Sequence, residues 1–293
     1  MKRFCLTCIE KEPMSVKKGS FVRRSDGRRL KRFKCLHCKR TFSAATFQLC
    51  YRQKKRNLNP RIYELLCSGV SQRRIAKLLN ISRTTVVRKF LFLSKLAMRD
   101  NFRDLSKIAP VQEVQFDDLE TIEHTKCKPL SVAMAVEKHS RKILGFSVSR
   151  MPAKGHLAKI ARKKYGRRPD ERKVGWNNLF SIVSCRTVDH ARIESDQNPH
   201  YPEIVRKWCP NAKHVGYPGE RGCVAGQGEL KKVYFDPLFT LNHTFAMCRA
   251  NINRLFRKTW CTTKRPDRLA AHLELYMHYH NRRILPNPVL ASA

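Results

Sequence analysis

Two CxxC pairs near the start of the chain constrain its folding more than any other feature of the sequence. The pairs are Cys5 with Cys8 and Cys35 with Cys38, and a basic, turn-rich stretch separates them. Two residues between cysteines allow one tight turn to aim both thiolates at a single ion, and two such turns complete a tetrahedral Zn²⁺ site. The spacing therefore predicts a zinc ribbon over residues 1–50, although pairs of this kind also arise by chance.

A site of four thiolates has a structural role in this prediction. Four protein ligands leave no position for a substrate, so the zinc contributes folding energy rather than catalysis. His37 lies between the second pair of cysteines, and we expect it to be a bystander rather than a ligand.

The remaining cysteines and the apolar pattern bear on the compartment. The chain contains 12 cysteines but no apolar run of about 18 residues and no apolar signal region at its start. We therefore predict a cytoplasmic protein with no membrane contact, in which thiols serve metals or cores rather than disulfides.

The charge of the chain predicts a polyanionic partner. Lys and Arg number 61 against 23 for Asp and Glu, which gives a formal net charge of +38. Each phosphate neutralised by such a surface releases counterions and adds affinity, so nucleic acid is the expected ligand. A merely solvated basic surface is the alternative.

Residues 58–98 change to helical periodicity and predict a helix-turn-helix domain. Ser71 is placed to cap one helix and Ser82 the next, with Asn80 and Ile81 in the turn between them. We expect Ile75, Leu78, Ile81 and Val86 to pack together. An ordinary helical pair in a bundle is the alternative interpretation.

In this motif the second helix enters the major groove of double-stranded DNA, while the first lies across the backbone. The candidates for base edges are Arg83, Thr84 and Thr85, and the candidates for phosphate contacts are Gln72, Arg73, Arg88 and Lys89.

After a predicted linker at residues 98–110, the pattern changes to alternation and then to alternating helices and strands. Three strands over 111–121, 129–137 and 142–151 predict a meander, and a basic stretch at 152–176 can either hold phosphates or form a solvated insertion. Later segments predict a mixed sheet covered by helices, including one long basic helix over 241–260 and another over 266–283. The whole is a multidomain α+β fold, with the mixed sheet in residues 111–285.

Two aspartates stand out in a chain so poor in carboxylates. Asp117 lies in the first strand of the sheet, and Asp196 ends a later strand just before a turn. Two carboxylates brought together repel unless a metal or a proton lies between them, and Mg²⁺ commonly binds such oxygens together with phosphate. The alternative is that Asp117 and Asp118 form a charged strand edge and that Asp196 opens an Asx-turn.

Taken together, the chain resembles the insertion-sequence transposases that join a zinc ribbon and a helix-turn-helix to a DDE-type catalytic domain of ribonuclease H-like fold. The resemblance covers almost the whole chain and is carried by FKCLHCKRTFS, FDDLETIEHTKCKPLSV, SDQNPHYP and LNHTFAMCRANINRLFRKTWCTTK. It implies a catalytic set of Asp117, Asp196 and Asn242, with Mg²⁺ or Mn²⁺ held by the two aspartates. Asn242 departs from the usual Glu, and Asp236 and Glu229 are weaker candidates for that position.

The resemblance also implies the activity and its partners. It implies a bacterial transposase, associated with the nucleoid, that binds terminal inverted repeats, cleaves a DNA strand and transfers it to target DNA as a homo-oligomer. Phosphate contacts on the last long helix would come from Arg249, Arg254, Arg257 and Lys258. The competing interpretation is a catalytically inactive, transposase-derived DNA-binding protein or regulator. An RNA-binding protein is less favoured, because A-form RNA closes its major groove to side chains.

Overall fold

The computed structural model describes residues 5, 8, 15–24, 26–218, 236–256 and 259–284. The chain divides into two compact units, residues 1–61 and residues 62–293. Each unit has its own β-sheet. Within the described ranges, no helix is long and apolar enough to cross a membrane.

The first unit is a small antiparallel sheet around a minimal core. Its strands, in the order β1-β2-β3, are β1 (Ser15–Val22), β2 (Arg29–Cys35) and β3 (Thr41–Ser43). The buried cluster consists of Cys5, Cys35, Phe33 and Phe42, and the two phenylalanine rings lie 5.8 Å apart. So few apolar side chains cannot by themselves stabilise a fold of this size.

Three helices follow the first sheet, namely α1 (Asn59–Leu66), α2 (Gln72–Leu78) and α3 (Arg83–Leu105). The two predicted N-caps are confirmed, because the Ser71 hydroxyl accepts from the Arg74 amide and the Ser82 hydroxyl from the Thr85 amide. Asn80 makes the turn between α2 and α3 with a left-handed φ of 47°, a conformation that Asn tolerates better than most residues.

The prediction of a linker at residues 98–110 was wrong for 98–105, because α3 continues to Leu105, and only residues 106–110 connect it to the following strand. Ala97, Asn101 and Leu105 are buried at intervals of four residues, which places them on one side of the helix. The Asn101 amide donates to the Glu274 carbonyl at 3.0 Å. Contacts distant in sequence therefore extend this helix beyond its local pattern.

The second unit contains a five-stranded mixed sheet in the order β6-β5-β4-β7-β8. The strands are β4 (Val111–Glu123), β5 (Thr125–Glu137), β6 (Ile143–Arg150), β7 (Thr187–Asp196) and β8 (Lys213–Tyr217). The predicted meander is confirmed, since β4, β5 and β6 pair antiparallel. β7 then pairs parallel with β4 on its other side, and β8 pairs parallel with β7.

Five further helices surround this sheet: α4 (Leu157–Tyr165), α5 (Arg172–Val183), α6 (Tyr201–Trp208), α7 (Phe239–Asn251) and α8 (Pro266–Tyr279). The predicted long helix over 241–260 was wrong in length. Residue Ile252 leaves helical geometry with ψ near 104°, and a short 3₁₀ turn over Asn253–Leu255 follows. Because Ile252 and Leu255 are both buried, the chain turns there toward the core.

Helix α5 packs directly on the sheet. A Cβ added at Gly175 would lie 2.0 Å from the Ser149 hydroxyl oxygen of β6 and 3.3 Å from its Cβ, so glycine at this position lets the helix approach the strand closely. Further along the helix, Phe180 packs edge-on against Phe116 of β4 at 4.8 Å. The side chain of Phe116 therefore points to the face covered by α5.

Candidate functional site

The four cysteines predicted to bind zinc come together. The sulfur atoms of Cys5, Cys8, Cys35 and Cys38 all lie within 4.8 Å of one another. The Cys5 and Cys38 sulfurs are 3.6 Å apart, as are those of Cys8 and Cys35. Zn–S bonds of about 2.3 Å in a tetrahedron separate sulfurs by roughly 3.8 Å. The cluster therefore fits one structural Zn²⁺.

The surface of α2 and the start of α3 agrees with the sequence prediction for most residues. Arg73, Arg83, Thr84 and Arg88 are exposed, and Gln72 is half-buried. Thr85 is also half-buried, and its hydroxyl lies 2.8 Å from that of Ser82 within the cap of α3. Leu78, predicted to pack with α3, is instead 57% exposed at the end of α2.

Lys89 was predicted to be exposed and to contact phosphates, and the predicted exposure was wrong. Only 3% of the residue is accessible, because Val86, Lys89 and Phe90 follow one another on the buried side of α3. A lysine can lie on such a side by running its aliphatic stem along apolar neighbours. It is therefore not a surface contact in this arrangement.

Asp117 and Asp196 lie on neighbouring parallel strands in matching register. Gln115 of β4 pairs with Glu194 of β7. That pair is the last of the ladder, and Asp117 and Asp196 each lie two residues further along their strands, close enough for the charge of Asp196 to act on Asp117. Since side chains two residues apart share a face of a sheet, the two carboxylates point to the same face as Gln115 and Glu194.

The electrostatics of Asp117 reflect this proximity. Burial, together with the negative charge of Asp196, raises the pKa of Asp117 to about 7. Its Oδ1 accepts from the Tyr201 hydroxyl at 3.0 Å and from the Asp118 amide at 2.6 Å. Burial and three nearby carboxylates raise the pKa of Tyr201, so its hydroxyl keeps the proton that it donates. Among the described residues, no donor contacts Oδ2 of Asp117.

The Asx-turn considered for Asp196 is present as well. Its Oδ1 accepts from the Asn198 amide at 3.1 Å. This hydrogen bond fixes one oxygen and orients the carboxylate, while Oδ2 meets no donor in the described part of the chain. One oxygen of each aspartate is thus held by the protein, and the other can bind a cation.

Asp118 occupies the other face of β4. Both of its oxygens accept from the Trp176 indole, at 3.0 Å and 3.1 Å. Burial raises its pKa also. Adjacent residues of a strand point to opposite faces, so Asp118 anchors α5 while Asp117 faces away from that helix.

Asn242 lies in the first turn of α7, where its amide nitrogen donates to Asp236 at 2.8 Å. The start of this helix is attached to β4 through Gln115. The Gln115 amide nitrogen donates to the Pro237 carbonyl at 2.7 Å, and its oxygen accepts from the Leu241 amide at 3.1 Å. The N-terminal turn of α7 therefore lies on the same face of the sheet as the two aspartates.

A buried glutamate holds this attachment, and the sequence did not predict it. Glu194 is 0% exposed and accepts from Gln115 at 2.9 Å, Lys138 at 2.8 Å and Arg192 at 2.7 Å. The Tyr217 hydroxyl adds a fourth donor at 3.2 Å. The sequence signal that could have identified Glu194 is its position two residues before Asp196 in the same strand, since side chains two residues apart point to the same face of the sheet.

The basic residues predicted on the long helix are dispersed by its early end. Arg249 lies half-buried on α7. Arg254 lies half-buried in the 3₁₀ turn, where its guanidinium covers the Phe90 ring of α3 at 5.7 Å, and its contact with phosphate stays a prediction. Arg257, Lys258 and Glu229 lie outside the described residues.

No family model and no curated protein sequence matches this chain. Among solved structures, it is similar to the crystal structure of a pre-cleavage Mos1 transpososome, with 9% identity over 78% of this chain and 75% of that chain and a TM-score of 0.24. A similarity at this level defines no shared fold. The described residues form two units with mixed α/β structure, with a thiolate cluster in the first and a pair of neighbouring carboxylates in the second.

Proposed function

We propose that this chain is a DDE-type transposase with a ribonuclease H-like catalytic core, an N-terminal zinc ribbon and a helix-turn-helix. The observation that carries the proposal is the proximity of Asp117 and Asp196, each two residues beyond the last paired residues of adjacent parallel strands and each with one uncommitted oxygen. The strong positive charge supports a polyanionic substrate. The exposed residues Arg83 and Thr84 on α3 support readout of duplex DNA.

The carboxylate pair suits Mg²⁺ or Mn²⁺, because both ions prefer oxygen ligands. Bound there, the ions would stabilise charge on the attacking and leaving oxygens of a phosphodiester. Tyr201 and the Asp118 amide orient Asp117, and the Asn198 amide orients Asp196. Asn242 and Asp236, at the start of α7, are the candidates for the third position.

The proposed reaction has two balanced steps. In the first, a water oxygen attacks phosphorus at the element end and the bond from phosphorus to the 3′-oxygen breaks. The water loses a proton, and the 3′-oxygen gains one to become a 3′-hydroxyl. In the second, that 3′-hydroxyl loses its proton as its oxygen attacks a target phosphorus, and the displaced target 3′-oxygen gains a proton. The first step is a hydrolysis and the second exchanges one phosphodiester bond for another, so neither requires an external energy source.

The test is strand cleavage of duplexes taken from the DNA that flanks the coding region. Asp117→Asn and Asp196→Asn keep the side-chain volume and remove the charge, and we expect each to lower the rate at least about 10³-fold. Asp189→Asn is the matched control. Asp189 lies near the other end of β7, where it is exposed and accepts a hydrogen bond from Asn211. Equal cleavage by the wild type and both site variants contradicts the assignment.

A DNA-binding protein without catalysis is the second candidate. The observation that favours it is that Asn242 carries no charge and already donates to Asp236. An amide oxygen binds Mg²⁺ without neutralising it. Calorimetric Mg²⁺ binding that is lost in Asp196→Asn supports the enzyme, whereas duplex binding indifferent to Mg²⁺ with no cleavage by any divalent ion supports the binder.

A further inference from the structure

The first unit contains a cavity of about 610 Å³ whose lining is cationic. Its walls come from all three strands, the loop between β1 and β2, the 3₁₀ turn after β3 and the segment 51–56. The cationic residues that line it are Arg23, Arg24, Arg32, Arg52, Lys54 and Arg56. Between Ser15 and Arg61 the one acidic residue is Asp26, so this charge faces little internal compensation.

That single carboxylate is already committed to two of the arginines. The Arg23 Nε donates to Asp26 Oδ1 at 2.6 Å, and a second Arg23 nitrogen contacts Oδ2. Arg56 reaches the same Oδ2 at 3.5 Å and also donates to the Gln48 side chain at 3.0 Å. These contacts fix the two guanidinium groups in place before any ligand arrives.

The third nitrogen of Arg23 has no such partner. Its Nη1 is shielded from solvent and has no hydrogen-bond acceptor among the described residues. A buried donor left unsatisfied is unfavourable, because it loses its hydrogen bonds to water without replacing them. An anion seated in the cavity, with a small adjustment of the guanidinium, would supply the missing acceptor.

Aromatic rings hold further guanidinium groups at the cavity. Arg32 lies over the Phe21 ring at 4.9 Å, and Arg52 lies over the Tyr51 ring at 5.4 Å. Arg52 does so from a left-handed backbone conformation, with φ of 62°. Residues other than glycine occupy this region at a cost, and such strain is concentrated at functional positions.

We propose that this cavity binds a phosphate of the DNA backbone, through guanidinium groups that are positioned before binding. Arginine forks match phosphate oxygens in pairs, and ordered forks lose less conformational entropy than free side chains. The inference deepens the proposed function and rests on its premise that the chain binds DNA. It assigns to the first unit a direct contact with the duplex in addition to its structural role.

The test compares two variants of equal charge in the full, zinc-containing chain. Arg24→Gln with Arg52→Gln removes two cations from the cavity, and Lys17→Gln with Lys18→Gln removes two exposed cations of β1 that do not line it. Binding to a fluorescent 30-base-pair duplex of arbitrary sequence is followed by anisotropy at several salt concentrations without divalent cations. We expect about 10-fold weaker binding and a salt slope smaller by about one for the cavity pair, and less than about 3-fold weakening for the control.

Equal loss in the two pairs, or no loss in the cavity pair, overturns the proposal. Zinc content is measured for both, and if the glutamine pair loses zinc, the pair Arg24→Lys with Arg52→Lys replaces it. That pair keeps the charge but loses the forks, and we expect at least about 3-fold weaker binding.

A second arm uses inorganic phosphate as the probe. Stabilisation of the wild type by phosphate over chloride at equal ionic strength, absent in the glutamine pair, supports the proposal when the same pair also loses duplex affinity. If duplex affinity is unchanged, the ligand is a free phosphate and the DNA assignment falls. None of these measurements involves strand cleavage, so a failure here is distinguishable from a failure of the catalytic proposal.

Discussion

The two units of this chain each gather potential metal ligands, but they do so by opposite means. In the first, Cys5 and Cys35 are themselves part of the buried cluster, so the candidate ligands and the core are the same residues. In the second, Asp117 and Asp196 lie on a sheet whose core is independent of them and includes Phe116, Leu130 and Met134. The difference teaches that a thiolate site can build a fold, whereas a carboxylate site needs a fold to hold two like charges together.

The largest expected effect is the loss of the first unit when zinc is removed. Chelation, or Cys35→Ser, should unfold residues 15–56, because structural zinc contributes on the order of 10 kcal/mol. Zinc release and tryptic cleavage report that unit, and the fluorescence of Trp176, Trp208 and Trp260 reports only the second. Cys185→Ser, at an exposed cysteine, is the control. Collapse of both signals together would break the comparison.

The second unit should depend instead on its buried polar network. Glu194→Gln removes the charge that Lys138 and Arg192 share, and should lower the free energy of unfolding by about 3 kcal/mol. Urea unfolding followed by tryptophan fluorescence measures it. Glu203→Gln, which breaks an exposed pair with Lys173, should cost less than about 0.5 kcal/mol. Equal costs would show that the network does not stabilise this unit.

The contact between α3 and α8 should make the free energy of unfolding of the second unit sensitive to acid. Burial, and to a lesser degree the charge of Arg254, lowers the pKa of His272 to about 4, while its Nε2 lies 2.9 Å from the Leu66 carbonyl. Between these two pKa values, the His272 imidazole is therefore neutral in the folded state and protonated in the unfolded state. Stability present above the unfolded pKa of 6.5 is lost as the pH falls toward 4.

The expected loss attributable to His272 between pH 8 and pH 5 is about 2 kcal/mol. His272→Gln cannot titrate, so its unfolding free energy, followed by tryptophan fluorescence, should fall by that much less over the same range. Burial lowers the pKa of His278 and His280 in the same direction, so a residual slope remains. An unchanged slope in the variant would exclude His272 as a source of the acid sensitivity.

The smallest effect concerns the helix caps. Ser82→Ala removes the hydroxyl that accepts from the Thr85 amide and should lower the stability of the second unit by about 1 kcal/mol. Thermal unfolding followed by circular dichroism measures it. Ser68→Ala, at an exposed hydroxyl bound to the Glu64 carbonyl, should change little. A similar loss in the two variants would mean that the cap does not hold the start of α3.

Features that depend on residues close together in the sequence were predicted correctly. Ser71 and Ser82 were identified as caps because a hydroxyl beside a helical pattern satisfies amides three residues away. The strands of the meander and helix Tyr201–Trp208 followed from alternation and helical periodicity. The ends of α3 and α7 were not predicted correctly, because they are set by the burial of Leu105, Ile252 and Leu255 against distant segments.

The sequence by itself determined the spacing of the cysteines, the excess of positive charge, the caps and the positions of two unusual aspartates. Only the tertiary structure decided that β7 lies beside β4 with Gln115 paired to Glu194, which brings Asp117 and Asp196 close together. It also decided that Glu194 and Gln115 attach α7 to that face, and that Lys89 is buried. These facts depend on which segments meet in space, and no spacing along one chain encodes the pairing of strands separated by two further strands and two helices.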